Sequence, residues 1–251
     1  DIGDAWRNAP DVRESESRLR DIVRQTVTES VDFHLVSDVP IGVFLSGGVD
    51  SGTIAGLMRA AHDGDILSAT VAFDEFVGQT NDEAPRAKIL ADAYGIRAHV
   101  RRVARQEFQA DLPAILDAMD QPSIDGVNTW FAAKATAELG LKVAVSGIGG
   151  DEIFFGYPGF RQIPALVRTW RVLRRFPGMR LFAESACRWR ASRSGIAKWG
   201  LLPNHADSLQ GAYYLRRGLF TPDDLPRLMG KDLAREAGND ASPESIVAEG
   251  V

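Results

Sequence analysis

The sequence predicts an α/β fold, a doubly wound and mostly parallel sheet followed by a C-terminal helical lobe. Short apolar runs alternate with stretches of helical period from Ser15 to Val145, the pattern of parallel strands joined by crossover helices. Two of the runs, ending at Leu45 and Val145, break directly into glycine-rich loops. Beyond Tyr157 the strand pattern stops and only helical spacing continues. In such sheets the crossovers are right-handed and ligands bind beyond the carboxyl ends of the strands, the edge where both glycine loops are placed.

From Ser15 to about Leu35 the residues Leu19, Ile22, Val23, Val27, Val31 and Leu35 recur at three or four residue spacing, which predicts an amphipathic helix against the core. Asp38 and Pro40 separate it from the first strand, since the residue before proline leaves helical space. Val43, Phe44 and Leu45 are the continuous apolar run of a strand buried on both faces, and Ile54, Leu57 and Met58 set the helix that follows. Ile66 to Phe73 is the second strand, and Gly78 to Asp82 a polar loop. Pro85 opens a helix through Tyr94 that Gly95 closes. Arg97 to Val103 gives a third strand, Arg105 to Met119 a helix, and Asp120 to Gly126 an irregular loop. Asn128 to Leu139 is helical, and Lys142 to Val145 makes the fourth strand.

Four helices are predicted after it: Pro158 to about Arg175, Met179 to about Trp189, Ser208 to Leu219 and Pro222 to Met229. Lys231 to Val251 has no secure period, and is expected to be disordered or to depend on sequence outside the chain. The α/β core is assigned to residues 1–160 and a helical extension of the same domain, incomplete at its C-terminal end, to 161–251.

Ser46-Gly47-Gly48-Val49-Asp50-Ser51 stands between a strand and a helix. Its glycines let backbone N–H groups turn inward, and the helix adds its positive N-terminal end, so the stretch predicts an anion site. It is not a Walker A loop, which needs a lysine, nor a nucleophile elbow, which needs glycine where Phe44 stands. A dinucleotide fingerprint fails at Val49. A plainer alternative is a glycine-capped turn with Asp50 or Ser51 capping the helix. The second constellation is Ser146-Gly147-Ile148-Gly149-Gly150-Asp151-Glu152. Carboxylates beside a triphosphate make sense if magnesium bridges them, because Mg²⁺ takes one or two carboxylates plus phosphate oxygens; Asp50 and Asp151 are the pair. Taken alone, Asp151 and Glu152 also suit a helix first turn.

The composition, 45% hydrophobic and 25% charged, is that of an ordinary soluble globule. A net charge of -5 weighs against nucleic acid as a partner. Cys187 has no second cysteine, which excludes an internal disulfide and a four-cysteine zinc site and fits a cytoplasmic setting. No run of about 18 apolar residues exists to span a membrane. The chain begins at Asp1 without Met or a signal peptide, so it reads as a fragment or a processed subunit.

The loop Ser-Gly-Gly-Val-Asp-Ser at 46–51 resembles the pyrophosphate loop (PP-loop) of the ATP pyrophosphatase superfamily, with its adenine nucleotide alpha hydrolase-like sheet. Together with Asp-Gln-Pro-Ser at 120–123 and Ser-Gly-Ile-Gly-Gly-Asp-Glu-Ile-Phe-Phe-Gly-Tyr-Pro at 146–158, it is similar to the synthetase domain of glutamine-dependent asparagine synthetase, over about Arg18 to Arg161. The resemblance implies that ATP activates the side-chain carboxyl of aspartate as an adenylate and that ammonia displaces AMP. It implies that Ser46, Gly47, Gly48, Asp50 and Ser51 hold the pyrophosphate end of ATP, that Leu45, Val71, Ser146 and Gly147 line the adenosine pocket, and that Asp50 and Asp151 bind Mg²⁺. Asp50, Asp151 and Glu152 are the catalytic candidates. The partners implied are ATP, aspartate, ammonia and a glutaminase domain of the parent protein, with a homodimer left open.

The sequence departs from the family's pattern in places. An acidic residue that can assist the ammonia step often stands where Ile148 is, and Phe155 stands where glycine is common. The family's later lysine-bearing segment has no match before Val251; Lys198 and Lys231 sit in no matching motif and are read as surface residues. The glutaminase nucleophile, an N-terminal cysteine, is absent, and Cys187 is read as a packed helix residue. Between Arg168 and Arg193, the residues Arg168, Arg171, Arg174, Arg175, Arg180, Arg188 and Arg190 meet only Glu184, which predicts a solvated or partner-docking face ahead of an RNA-binding one. The scattered His34, His62, His99 and His205 do not form a metal site by spacing. Rival readings are a β-lactam synthetase-like or other amidotransferase, a tRNA-modifying adenylating enzyme, and a non-catalytic nucleotide-binding remnant.

Overall fold

The computed structural model describes residue 8 and residues 13–121, 123, 125–194, 198–220 and 224–240. The chain divides into two compact units, one ending at Ile153 and the other beginning at Phe154.

The first unit opens with α1, Glu16–His34, whose N-cap Ser15 accepts the Arg18 N–H and whose first turn carries Glu16, both favourable at a helix N-terminus. Only its last turns join the core. Val31 is buried, while Leu19, Ile22 and Val23 stay exposed. Then follow β1 (Ile41–Phe44), α2 (Val49–Ala61), β2 (Leu67–Phe73), α3 (Ala84–Tyr94), β3 (Arg97–Val103), α4 (Arg105–Asp117), α5 (Gly126–Glu138), β4 (Val143–Val145) and the single turn α6 (Gly150–Ile153). Gly95 closes α3 at φ +65°, a left-handed backbone that glycine adopts without a Cβ penalty.

All strand pairs are parallel and the order is β3-β2-β1-β4. The chain builds outward from β1 through β2 to β3, then returns to lay β4 on the other side of β1. The topological switch point therefore lies between β1 and β4, where α/β sheets open a crevice for ligands. One face of the sheet packs Val43, Leu45 and Ile66 against Val31 of α1, Ala55 and Met58 of α2, and Ala87 and Ala91 of α3. The opposite face packs Val71, Phe73 and Val103 against Ile115 of α4 and Phe131 of α5. Helices thus cover both faces, the doubly wound arrangement that the alternating pattern predicts.

That second face is also clamped by charge. Arg101 of β3 pairs with Glu107 of α4 at 2.5 Å and with Glu138 of α5 at 2.8 Å, and Lys134 of α5 pairs with Glu107 and Asp111, both at 2.7 Å. Hydrogen bonds from Arg101, then Lys134, hold Glu107 below the usual carboxylate range, and Arg101 does the same for Glu138.

Among the described residues of the second unit every regular element is a helix: α7 (Gly159–Leu173), α8 (Pro177–Ser194), α9 (Lys198–His205), α10 (Leu209–Arg217), α11 (Leu225–Leu228) and α12 (Lys231–Asp240). Its cores are Trp170, Leu202, Ala206 and Leu215, with Ile163, Val167 and Ala212 alongside. Cys187 packs against the first of these; burial, then Glu184, pushes its thiol pKa up, which suits a packing residue rather than a nucleophile.

Two elements differ from the sequence reading. The segment 198–205 is a helix of eight residues, containing Pro203, too short to show a period to read, and Lys198 donates from Nζ to the Gly218 carbonyl instead of standing free on the surface. Residues 231–240 are helical; the remainder of the expected unstructured tail, 241–251, lies outside the described residues, as does Pro222. Among the described residues no helix is long and apolar enough to cross a membrane.

Candidate functional site

The site is assembled where β1 and β4 release the chain. At the end of β1 the Leu45 N–H bonds the Ala69 carbonyl at 3.1 Å, and the buried Thr70 hydroxyl donates to the Leu45 carbonyl at 2.7 Å. Both main-chain groups of Leu45 are thereby fixed from β2, and its side chain is buried in the core facing α2 and α3. Thr70 escaped the sequence reading, because an isolated threonine in a strand carries no signal of its role.

The turn that follows cannot be made by other residues. Gly47 has φ +77°, and a Cβ there would lie 2.7 Å from Arg86 Cβ and 2.9 Å from Ala87 N, so the loop rests directly on the start of α3. Ser51, buried on the first turn of α2, bonds back into the loop: its hydroxyl accepts the Ser46 N–H at 3.2 Å and lies 3.0 Å from the Ser46 hydroxyl. It does not cap the helix. The N-cap is Gly48, with no side-chain cap; its carbonyl accepts the Ser51 hydroxyl at 3.4 Å and, as the first intrahelical N–H bond, the Gly52 N–H at 3.0 Å. The N–H groups of Val49, Asp50 and Ser51 precede that first intrahelical bond, the usual orphan donors of a helix start.

After β4, the Ser146 hydroxyl accepts the Ile148 N–H at 3.2 Å, and the Gly150 N–H bonds the Gly147 carbonyl at 3.3 Å. Gly149 takes φ +98°. The two loops then meet with no space between them. A Cβ at Gly147 would lie 2.8 Å from Ser51 N and 2.9 Å from Asp50 C; one at Gly150 would lie 2.7 Å from Asp50 Cγ. The second loop therefore needs glycine at 147 and 150 so that its backbone can lie on the first turn of α2. Asp50's carboxylate rests against Gly150, the residue before Asp151.

The structure thus brings together Ser46, Gly47, Gly48, Asp50, Ser51, Ser146, Gly147 and the segment bearing Asp151 and Glu152. Asp50 and Asp151 are half-buried; Glu152 is exposed. Val71 lies two residues beyond Ala69, the register partner of Phe44, and is packed half-buried against the α4–α5 core. In the motif at 120–123, Pro122 lies outside the described residues. His99 is on the edge strand β3, with its Nε2 buried and lacking a hydrogen-bond partner among the described residues.

A further contributor the sequence reading passed over is Asp82. It is buried, accepts the Ala84 N–H at 3.2 Å and pairs with Arg102 at 3.3 Å, pinning the segment after β2 to the start of α3 and to β3. An acid shortly before a proline-opened helix is the signal that could have marked it.

Residues 22–245 match the family model described as asparagine synthase. The chain belongs to the asparagine synthase family. Among curated relatives, the glutamine-hydrolysing asparagine synthetase 1 of Bacillus subtilis is 35% identical over 157 residues, covering 62% of this chain and 24% of its own. A putative glutamine-hydrolysing asparagine synthetase of Mycobacterium tuberculosis is 33% identical over 156 residues, covering 61% and 23%. The amidase chry2 of Gibberella zeae is 30% identical over 168 residues, covering 61% and 25%. The chain spans about a quarter of the length of the relatives it matches.

A close-packed pair of glycine loops at a helix start, with orphan N–H groups, fits a pyrophosphate moiety. Among the described residues no group of three or more His, Cys, Asp or Glu gathers into a metal site. Asp50's carboxylate lies against Gly150, the residue before Asp151, and these two would supply the one or two carboxylates that magnesium takes beside phosphate and water.

Proposed function

We propose that the chain is the synthetase part of an ATP-dependent, AMP-forming amide ligase that converts aspartate to asparagine. The observation that carries this is the contact of Gly147 and Gly150 with Asp50 and Ser51, which makes one anion site from two loops at the switch point of the sheet. Family membership supplies the reaction class.

In this reading the first loop and the start of α2 bind the β- and γ-phosphates, and Leu45, Val71, Ser146 and Gly147 border the adenosine. The aspartate side-chain carboxylate attacks the α-phosphorus, the bond to the bridging oxygen breaks, and pyrophosphate leaves. Preorganised N–H groups facing the departing charge stabilise it without reorganisation. Asp50 and Asp151 would hold magnesium, which when bound would supply further charge neutralisation at the phosphates. Ammonia, from a glutaminase domain of the parent protein, then adds to the acyl carbon and AMP departs. Exposed Glu152 borders the loop as a candidate acid–base group.

A second reading, in which another carboxylate is activated, is favoured by one residue. Ile148 is 90% exposed at the tip of the second loop, where an acidic residue would be expected to assist the ammonia step. The two are separated by exchange of radiolabelled pyrophosphate into ATP, catalysed by the parent protein with a panel of amino and keto acids. Aspartate-dependent exchange supports asparagine formation; exchange with another acid but not aspartate moves the assignment to that acid.

A further inference from the structure

We propose that the outward side of α7 is a docking surface for an acidic amphipathic helix. The inner side of α7 is accounted for: Ile163, Val167 and Trp170 are buried in the cores of the second unit. The outer side carries Pro164, Arg168, Arg171 and Val172, spaced to share one helix face, with Arg175 following just past its end. Leu209 of α10 closes a groove of about 350 Å³ beside them.

Among the described residues the carboxylates leave most of the positive charge in this groove unpaired. Asp207 is engaged by the neighbouring Arg174 at 2.7 Å, and its carbonyl accepts from Arg171 Nε at 3.1 Å. Among the described residues no carboxylate pairs with Arg168 or Arg175. Three guanidinium forks along roughly two helical turns, above the apolar Pro164, Val172 and Leu209, match a ligand that presents carboxylates at three and four residue spacing and apolar side chains between them. Arginine binds carboxylates bidentately, and an amphipathic helix in a groove is read through such anchors.

A single-stranded nucleic acid fits less well. Sequence-tolerant binding of single strands uses aromatic rings on which bases stack, and among the described residues none lines the groove. The indoles of the same unit are engaged by its own arginines: Arg193 lies 5.0 Å over Trp189 and Arg190 lies 4.9 Å over Trp199.

The test uses the 251-residue chain and three fluorescent probes: a helical peptide with Glu at i, i+4 and i+7 and Leu on the same face, the same peptide with each Leu replaced by Ser, and an oligouridylate. The Leu peptide is expected to bind at micromolar concentration, at least tenfold tighter than the Ser peptide and than the oligouridylate. The exposed double substitution R168A/R175A should weaken it at least tenfold, and R188A on α8 should leave it unchanged. Equal binding of the two peptides, tighter binding of the oligouridylate, or no loss in R168A/R175A with an unchanged circular dichroism spectrum would each overturn the proposal.

Discussion

Replacing Gly147 by alanine adds one methyl group at the seam between the two glycine loops. That methyl would stand 2.8 Å from Ser51 N and 2.9 Å from Asp50 C, whereas ordinary contact begins near 3.4 Å. Both obstructing atoms are backbone at the start of α2, so no side chain can rotate aside, and the loops must part by roughly half an ångström. Overpacking of this kind costs about 1–3 kcal/mol, which in a chain this long lowers the melting temperature by several degrees. The effect on catalysis should be larger, since a displacement of about 1 Å at a reacting centre costs on the order of 100-fold. Pyrophosphate exchange by G147A, corrected for folded fraction, is expected to fall at least tenfold. Gly140 provides the control. It has φ +73° and no atom within 4 Å of an added Cβ, so G140A should strain the backbone by about 1–2 kcal/mol and leave exchange per folded molecule intact. Wild-type exchange in G147A would refute the reasoning that loop contact makes the site.

Other perturbations follow from the same geometry. S51A removes the hydroxyl that accepts the Ser46 N–H; ATP affinity measured by calorimetry should drop about tenfold, with a melting shift equivalent to about 1 kcal/mol. D82A strips a buried partner from Arg102 and from the start of α3, and chemical denaturation should report a loss of about 2–3 kcal/mol. The Arg101 clamp gives a pH dependence. Glu107 and Glu138 are held below the usual carboxylate pKa of about 4.3, so their contribution is fully present above that value and is lost as pH falls through the lower folded-state pKa. Thermal melts should therefore drop below about pH 4, and E107Q should flatten that part of the profile while lowering stability at neutral pH.

Much of the first unit was legible because its signals are local. Continuous apolar runs mark strands buried on both faces, Pro85 and Gly95 bracket α3, and the glycine loops follow β1 and β4 without a gap. What the sequence withheld is spatial. That Gly147 and Gly150 are glycine because Asp50 and Ser51 lie against them depends on β4 returning beside β1, which no local pattern states. The Arg101 clamp joins residues up to 37 positions apart and was equally hidden. Phe155 shows the converse: a position where the family resemblance implies glycine keeps the left-handed backbone, φ +57°, with phenylalanine, its ring packed edge-on to Phe160 at 4.9 Å. Helix α9 was missed because eight residues containing a proline are too few to display a period.

The central claim, that the two loops form a magnesium-dependent pyrophosphate site, is tested most directly by titrating the chain with ATP in the presence and absence of Mg²⁺, with Asp50→Ala alongside. The account predicts magnesium-dependent binding that inorganic pyrophosphate competes away and that Asp50→Ala abolishes without loss of fold. Binding of ATP that is indifferent to magnesium, to pyrophosphate and to the Asp50 substitution would contradict it.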